Sequence, residues 1–173
     1  MKKYCLILAI LLFLSGCSPK KTLETVSDEA VPNVQPEKQQ VILTLPDTAA
    51  SPVIDSKEIG TLYLCDDYTV MLQTLESGDL SGTLRTVTGF PKESLQLLQT
   101  RRGEADRYDC VWTAAGENGN VVCRTAILDD GNYHYVLTAM TEEIHAGELQ
   151  PELQAMFHSY RLSPLEKDLN SGS

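Results

Sequence analysis

Apolar and polar positions divide the chain into three stretches. Tyr4 to Leu14, YCLILAILLFL, is an unbroken apolar run of 11 residues. Residues 18–57 are polar and rich in proline. From Glu58 onward, short runs of β-forming residues alternate with turn-forming clusters. Ile59 to Cys65 and Tyr68 to Leu75 read as strands split by a turn at Asp66-Asp67. Gly82 to Gly89, GTLRTVTG, continues this β-rich series after the turn signal Ser77-Gly78-Asp79. For Ser94 to Thr100, the alternation of Leu95 and Leu97 favours a strand, while composition and Pro91 also suit a helix start.

The C-terminal half predicts a three-stranded meander and a helix. Arg107–Ala114 and Val121–Leu128 flank Asn118-Gly119, a strong hairpin signal because both residues tolerate positive φ. Asp129-Asp130-Gly131-Asn132 turns the chain again, and Tyr133–Met140 runs back. With Asn118-Gly119 as a two-residue turn, Ala114 faces Cys123 and Cys110 faces Ile127. Cys110 and Cys123 then stand roughly 13 Å apart along the strand, too far for a disulfide. Pro151 suits a first helical turn, and Leu153, Met156, Phe157 and Tyr160 fall at i, i+3, i+4 and i+7 as one apolar stripe. The expected fold is α+β, a twisted antiparallel sheet (meander) with a C-terminal amphipathic helix packed on one face. The globular domain is expected over 58–164, with a disordered tail over 165–173.

Residues 17–57 are expected to form a Pro-rich, disordered tether, because five of the eight prolines fall there and the composition buries too little apolar surface to fold. Gln40 to Pro46, QVILTLP, is the exception, a β-prone run able to dock as an edge strand ended by Pro46 or to lie against the domain. A flexible tether of about 40 residues averages roughly 35 Å end to end.

The first apolar run has the anatomy of a secretion signal over 1–16: Lys2-Lys3, then an apolar segment, then small Ser15-Gly16. Its 11 residues fall short of the roughly 20 that span a bilayer. Leu14-Ser15-Gly16-Cys17 resembles the lipobox of bacterial lipoproteins. That resemblance implies a diacylglyceryl thioether on the Cys17 sulfur, cleavage between Gly16 and Cys17, and further acylation, by palmitate for example, of the freed amine. Only a thiol is nucleophilic enough for that bond under mild conditions. Two or three acyl chains hold a protein where one binds reversibly. The implied location is the extracytoplasmic face of the cell membrane, with the cysteine replacing the apolar run as the anchor.

Charge narrows the partners. The chain carries 14 Lys+Arg against 24 Asp+Glu, a net charge of −10. Such acidity gives no attraction for nucleic acid or for anionic headgroups, so membrane attachment rests on the lipid. Once Cys5 leaves with the signal, Cys65, Cys110 and Cys123 remain in the body. An odd number without a CxxC pair favours free, buried thiols.

Tyr133–Met140 followed by a helix ending in Ser159-Tyr160-Arg161-Leu162 resembles the PsbP/DcrB-like extracytoplasmic proteins, although the group's usual Gly-Phe…Pro…Trp start is not visible here. The resemblance implies a twisted sheet with a last helix and a non-enzymatic accessory or binding domain, and it carries over no site residue. Nothing in the sequence itself assembles a catalytic constellation. His134, His145 and His158 follow no metal-ligand spacing. Asp129–Asn132 is similar to a calcium loop but lacks the ligating Glu and reads as a turn. No GxSxG, SxxK or phosphate loop surrounds a body serine or glycine. Tyr108, Trp112, Tyr133 and Tyr135 lie on neighbouring strands as core packing or as candidate ligand contacts. No catalytic residue, metal or cofactor is expected. The function expected is a lipid-anchored binding or accessory module for an envelope protein or polymer. The alternative is an envelope hydrolase, which a pocket joining His134 to an Asp and a Ser or Cys would favour.

Overall fold

The computed structural model describes residues 35–49, 51–117 and 119–163. Cys17 with its lipobox and the tail from residue 164 lie outside them. The elements in order are β1 (Val41–Ile42), β2 (Ile54–Ser56), β3 (Gly60–Leu64), β4 (Tyr68–Glu76), α1 (Leu80–Thr88), a 3-10 turn (Lys92–Ser94), β5 (Leu98–Arg102), β6 (Ala105–Gly116), β7 (Gly119–Asp129), β8 (Tyr133–Glu142), α2 (Gln150–Ser159) and β9 (Arg161–Leu162). The main sheet has seven strands in the order β2-β3-β4-β8-β7-β6-β5, and β1 pairs with β9 in a two-stranded ribbon. All pairings are antiparallel. The fold is α+β.

Strand β8 lies between β4 and β7 and is buried along nearly its whole length. Its sequence therefore reads as a continuous run instead of an alternating one. Its odd residues Tyr133, Tyr135, Leu137 and Ala139 share a buried cluster with Val70, Ala126, Leu128 and the α2 residues Leu153, Met156 and Phe157. Its even residue Val136 joins Ile127, Cys110 and the α1 residue Leu84 in a second cluster. Period-two alternation thus gives the sheet two buried sides, each with one helix contributing. Tyr68 donates to Glu152 at 2.7 Å and links β4 to α2.

The helix α1 replaces the strand expected around Gly82–Gly89. Thr and Val suit strands, but the ends of this segment are helix signals. The Asp79 side chain accepts from the Ser81 amide, and Gly89 closes the helix in the left-handed region at φ 79°. Between them Leu80, Thr83, Leu84, Val87 and Thr88 recur with helical period, and Leu84 has no exposed area. In the ambiguous segment 94–100, the chain leaves the 3-10 turn at Ser94 and becomes a strand only at Leu98.

The β6–β7 hairpin turns one residue earlier than Asn118-Gly119 predicts. Gly116 pairs with Gly119, Ala114 with Val121, Trp112 with Cys123 and Cys110 with Thr125. Gly116 permits this register, because a Cβ there would stand 2.7 Å from a Val121 methyl and 3.0 Å from the Gly119 carbonyl oxygen. Cys110 and Cys123 are consequently two residues out of register instead of four. Both are free and buried.

The fold also begins before Glu58. Strand β2 extends the main sheet, and Val41, Leu43 and Leu45 pack against the larger buried cluster. Gln39 accounts for two further bonds, its amide donating to Tyr135 Oη at 2.8 Å and its side chain to Asp130 at 3.0 Å. Tyr133 donates to the Pro36 carbonyl, and the Thr44 amide donates to Ser159. Residues 36–46 therefore form a strap over the fold, and the disorder expected of 17–57 does not extend to 36–49 or 51–57. Proline content signalled a tether because it counts against helix and ladder, but an extended strap tied by side chains needs neither.

Candidate functional site

The sheet ends in the edge strand β5, which pairs with β6. Leu98 stands opposite Asp109, and Val111 opposite Arg124 and then Ala139, so these residues share one side of the sheet. Leu98 and Val111 are 63% and 60% exposed, unusual for large apolar residues on a side that elsewhere forms core. They line a hollow of about 540 Å³ with Val122, Ala139 and Leu153, within the size range of small-molecule sites. A smaller hollow of about 300 Å³ adjoins it, sharing Leu98, Asp109 and Arg124. Together they make one groove between the β5–β6 edge and α2.

The smaller hollow is basic. Arg101, Arg102, Arg107 and Arg124 line it, four of the six arginines in the sequence, together with His158 from α2. Arg107 is buried and meets four acceptor atoms. It meets both oxygens of Asp109, at 2.7 and 2.8 Å, and donates to the carbonyls of Phe157 and Tyr160. Arg102 donates to the His158 carbonyl. Arg124 lies over the Phe157 ring, 4.4 Å from its centroid, a cation–π contact. Burial pulls the Arg124 guanidinium below its ordinary pKa, Asp109 opposes that shift, and Arg107 adds to it.

The residues singled out in the sequence are not brought together here. Tyr133 and Tyr135 are buried in the larger cluster beneath the strap. Tyr108 and Trp112 are half-buried on the other side of the sheet, where Trp112 donates to Thr125 and meets Phe90 edge-on at 6.1 Å. The four aromatics thus form no common contact surface. Among the three histidines, His134 has no exposed area. Its Nδ1 is 2.7 Å from Thr83 Oγ1, and its Nε2 is 3.3 Å from Asp129 without hydrogen-bond geometry. Asp129 and Asp130 form the β7–β8 turn, accepting from the Gly131, Asn132 and Tyr133 amides. His145 lines a separate hollow with Cys65, Asp66 and Asp67. No group of three His, Cys, Asp or Glu side chains among the described residues could hold a metal.

Sequence reasoning missed the arginine groove because its members are scattered between residues 101 and 124 and oppose an acidic total. Alternation within Arg107–Ala114 and Val121–Leu128 does put Arg107, Asp109 and Arg124 on one face once the register is known.

Burial pushes the Cys110 and Cys123 thiols up to about 11. The neutral thiol is the form that the fold retains. Its contribution is complete below the unfolded thiol pKa of about 8.5 and is lost as pH climbs through the folded value. Stability is therefore expected to decline between about pH 9 and 11. A chain of residues 18–173 should show at most Cys65 reactive toward a disulfide reagent at pH 8 and all three body cysteines in guanidinium. Reductant should leave its Tm unchanged. Rapid labelling of Cys110 in the folded chain would refute this burial.

The arrangement defines an α+β domain with an antiparallel sheet and a groove beside its last helix. No protein-family model and no curated protein sequence matches the chain. Among solved structures, the fold is similar to that of LpqN of Mycobacterium tuberculosis, a protein involved in cell envelope biogenesis. The TM-score is 0.51 at 12% identity, covering 76% of this chain and 88% of LpqN. A structure from Bacteroides thetaiotaomicron scores 0.48 at 12% identity, covering 71% of this chain and 45% of that one. The Saccharomyces cerevisiae Ran-binding protein Mog1p scores 0.44 at 12% identity, covering 70% and 89%. At these identities the likeness is one of fold. No helix among the described residues is long and apolar enough to cross a membrane.

Proposed function

We propose that this chain is a lipid-anchored extracytoplasmic protein whose domain acts by binding and not by catalysis. The observation that carries the reading is the groove, where exposed apolar walls adjoin a basic hollow within an acidic chain. The lipobox at the end of the apolar run supports the anchor, and the fold shared with a protein of cell envelope biogenesis supports the setting.

A labelled fatty acid is expected to enter the wild-type chain in bacterial cells. Cys17→Ala should abolish the label and leave the chain as precursor or release it. Label persisting in that variant would defeat the anchor. The hydrolase alternative has one observation in its favour, the alignment of Thr83, His134 and Asp129. Against it, the His134 ring has no exposed area, and neither hollow of the groove reaches it. A proton-transfer residue must come within hydrogen-bond reach of its substrate or reach it through one water.

A further inference from the structure

We propose that the groove between β5–β6 and α2 binds an anionic amphiphile, its oxyanion head on Arg124 and its chain along Leu98, Val111 and Val122. The inference rests on reading the domain as a binding module and assigns that module a ligand class.

Four observations converge. Arg124 lies over the Phe157 ring, yet its guanidinium donates to no acceptor among the described residues, although the fork carries five N–H donors. The nearby carboxylate, Asp109, is engaged by Arg107 through both oxygens and accepts no hydrogen bond from Arg124, so its field is shared between two guanidinium groups. Arg102 gives its hydrogen bond to the uncharged His158 carbonyl and keeps its charge as well. In a chain of net charge −10, this gathering of arginines makes a local well for an anion. A planar fork of donors fits a carboxylate or a phosphate.

The apolar half decides against a small inorganic ion. The larger hollow of about 540 Å³ shares Leu98, Asp109 and Arg124 with the basic one, so a single ligand can occupy both. Leu98 and Val111 expose most of their surface there, and an alkyl chain would remove that surface from water.

The test uses residues 18–173, which contain every described residue and both buried clusters. Calorimetry would compare decanoate, decyl phosphate, decanol and inorganic phosphate below micelle-forming concentrations. At least one of the two anionic amphiphiles is expected to bind tenfold or more tightly than decanol, with no binding of inorganic phosphate. Preference for decanoate would identify a fatty acid, and preference for decyl phosphate a phosphorylated lipid head. Arg124→Gln should weaken the anionic amphiphile at least tenfold and leave decanol unchanged, and Leu98→Asn should weaken both. If Arg124→Gln fails to fold, Arg102→Gln reads the same charge with an expected loss of threefold or more. Decanol binding as tightly as both anions, or a folded Arg124→Gln chain with unaltered affinity, would overturn the site. Ligand recovered chemically altered would instead overturn the non-catalytic reading and leave the site standing.

Discussion

Replacing Arg107 with alanine is expected to destabilise the domain by about 3–5 kcal/mol, the usual effect of removing one partner of a buried ion pair. The side chains of Arg107 and Asp109 are 7% and 18% exposed. Alanine would leave the Asp109 carboxylate half-buried without its partner and the Phe157 and Tyr160 carbonyls without their donor. A buried charge stripped of its partner costs more than the pair contributed, because its desolvation remains. For a domain of this size the loss corresponds to a fall in Tm of about 10–20 °C. The companion variant Arg107→Met with Asp109→Leu removes both charges and should recover much of it, since apolar replacement of a whole buried pair is often neutral. Thermal unfolding of the two variants checks this. Equal Tm for wild type and Arg107→Ala would mean that the guanidinium does not hold the end of α2.

A chain starting at Glu58 should be far less stable than one starting at Pro36. It lacks the strap, so Val41, Leu43 and Leu45 leave the cluster that includes Tyr135, Met156, Phe157 and Tyr160. Half-burial of three such side chains is worth about 3 kcal/mol. The ladder between Val41–Ile42 and Arg161–Leu162 is lost too, with the Gln39 contacts to Tyr135 and Asp130. A loss of that order is a large share of the 5–15 kcal/mol typical of a domain. The urea midpoint should drop and a hydrophobic dye should bind the shortened chain. Limited proteolysis of residues 18–173 should stop close to residue 36. Equal midpoints for the two chains, or ready cleavage between 40 and 46, would place the strap outside the cooperative unit.

Both predictions concern features that local sequence describes poorly. The strands of the meander and the helix over Gln150–Ser159 were legible because each element's apolar period is local. The α+β class follows from them. The β7–β8 turn was legible for the same reason, since Asp129 and Asp130 cap amides two or three residues away. Helix α1 was obscured by Thr83, Thr86, Val87 and Thr88, whose β-branched side chains favour strands. Its two ends, Asp79 and Gly89, outweigh that preference once Leu84 has a cluster to enter.

By itself, the sequence determined the apolar run that stops just before Cys17, the acidic total and most of the β-rich body. These are properties of composition or of neighbours within a few residues. The tertiary structure alone decided where the fold begins, which register the β6–β7 hairpin takes and which charges meet. The strap depends on contacts nearly a hundred residues apart, from Gln39 to Tyr135 and from Pro36 to Tyr133. Hairpin register rests on close packing at Gly116, and a shift in register changes which residues stand opposite one another. The groove is the product of both: pairing sets Arg124 beside Val111, α2 brings Phe157 beneath its guanidinium, and only then do scattered arginines become one site.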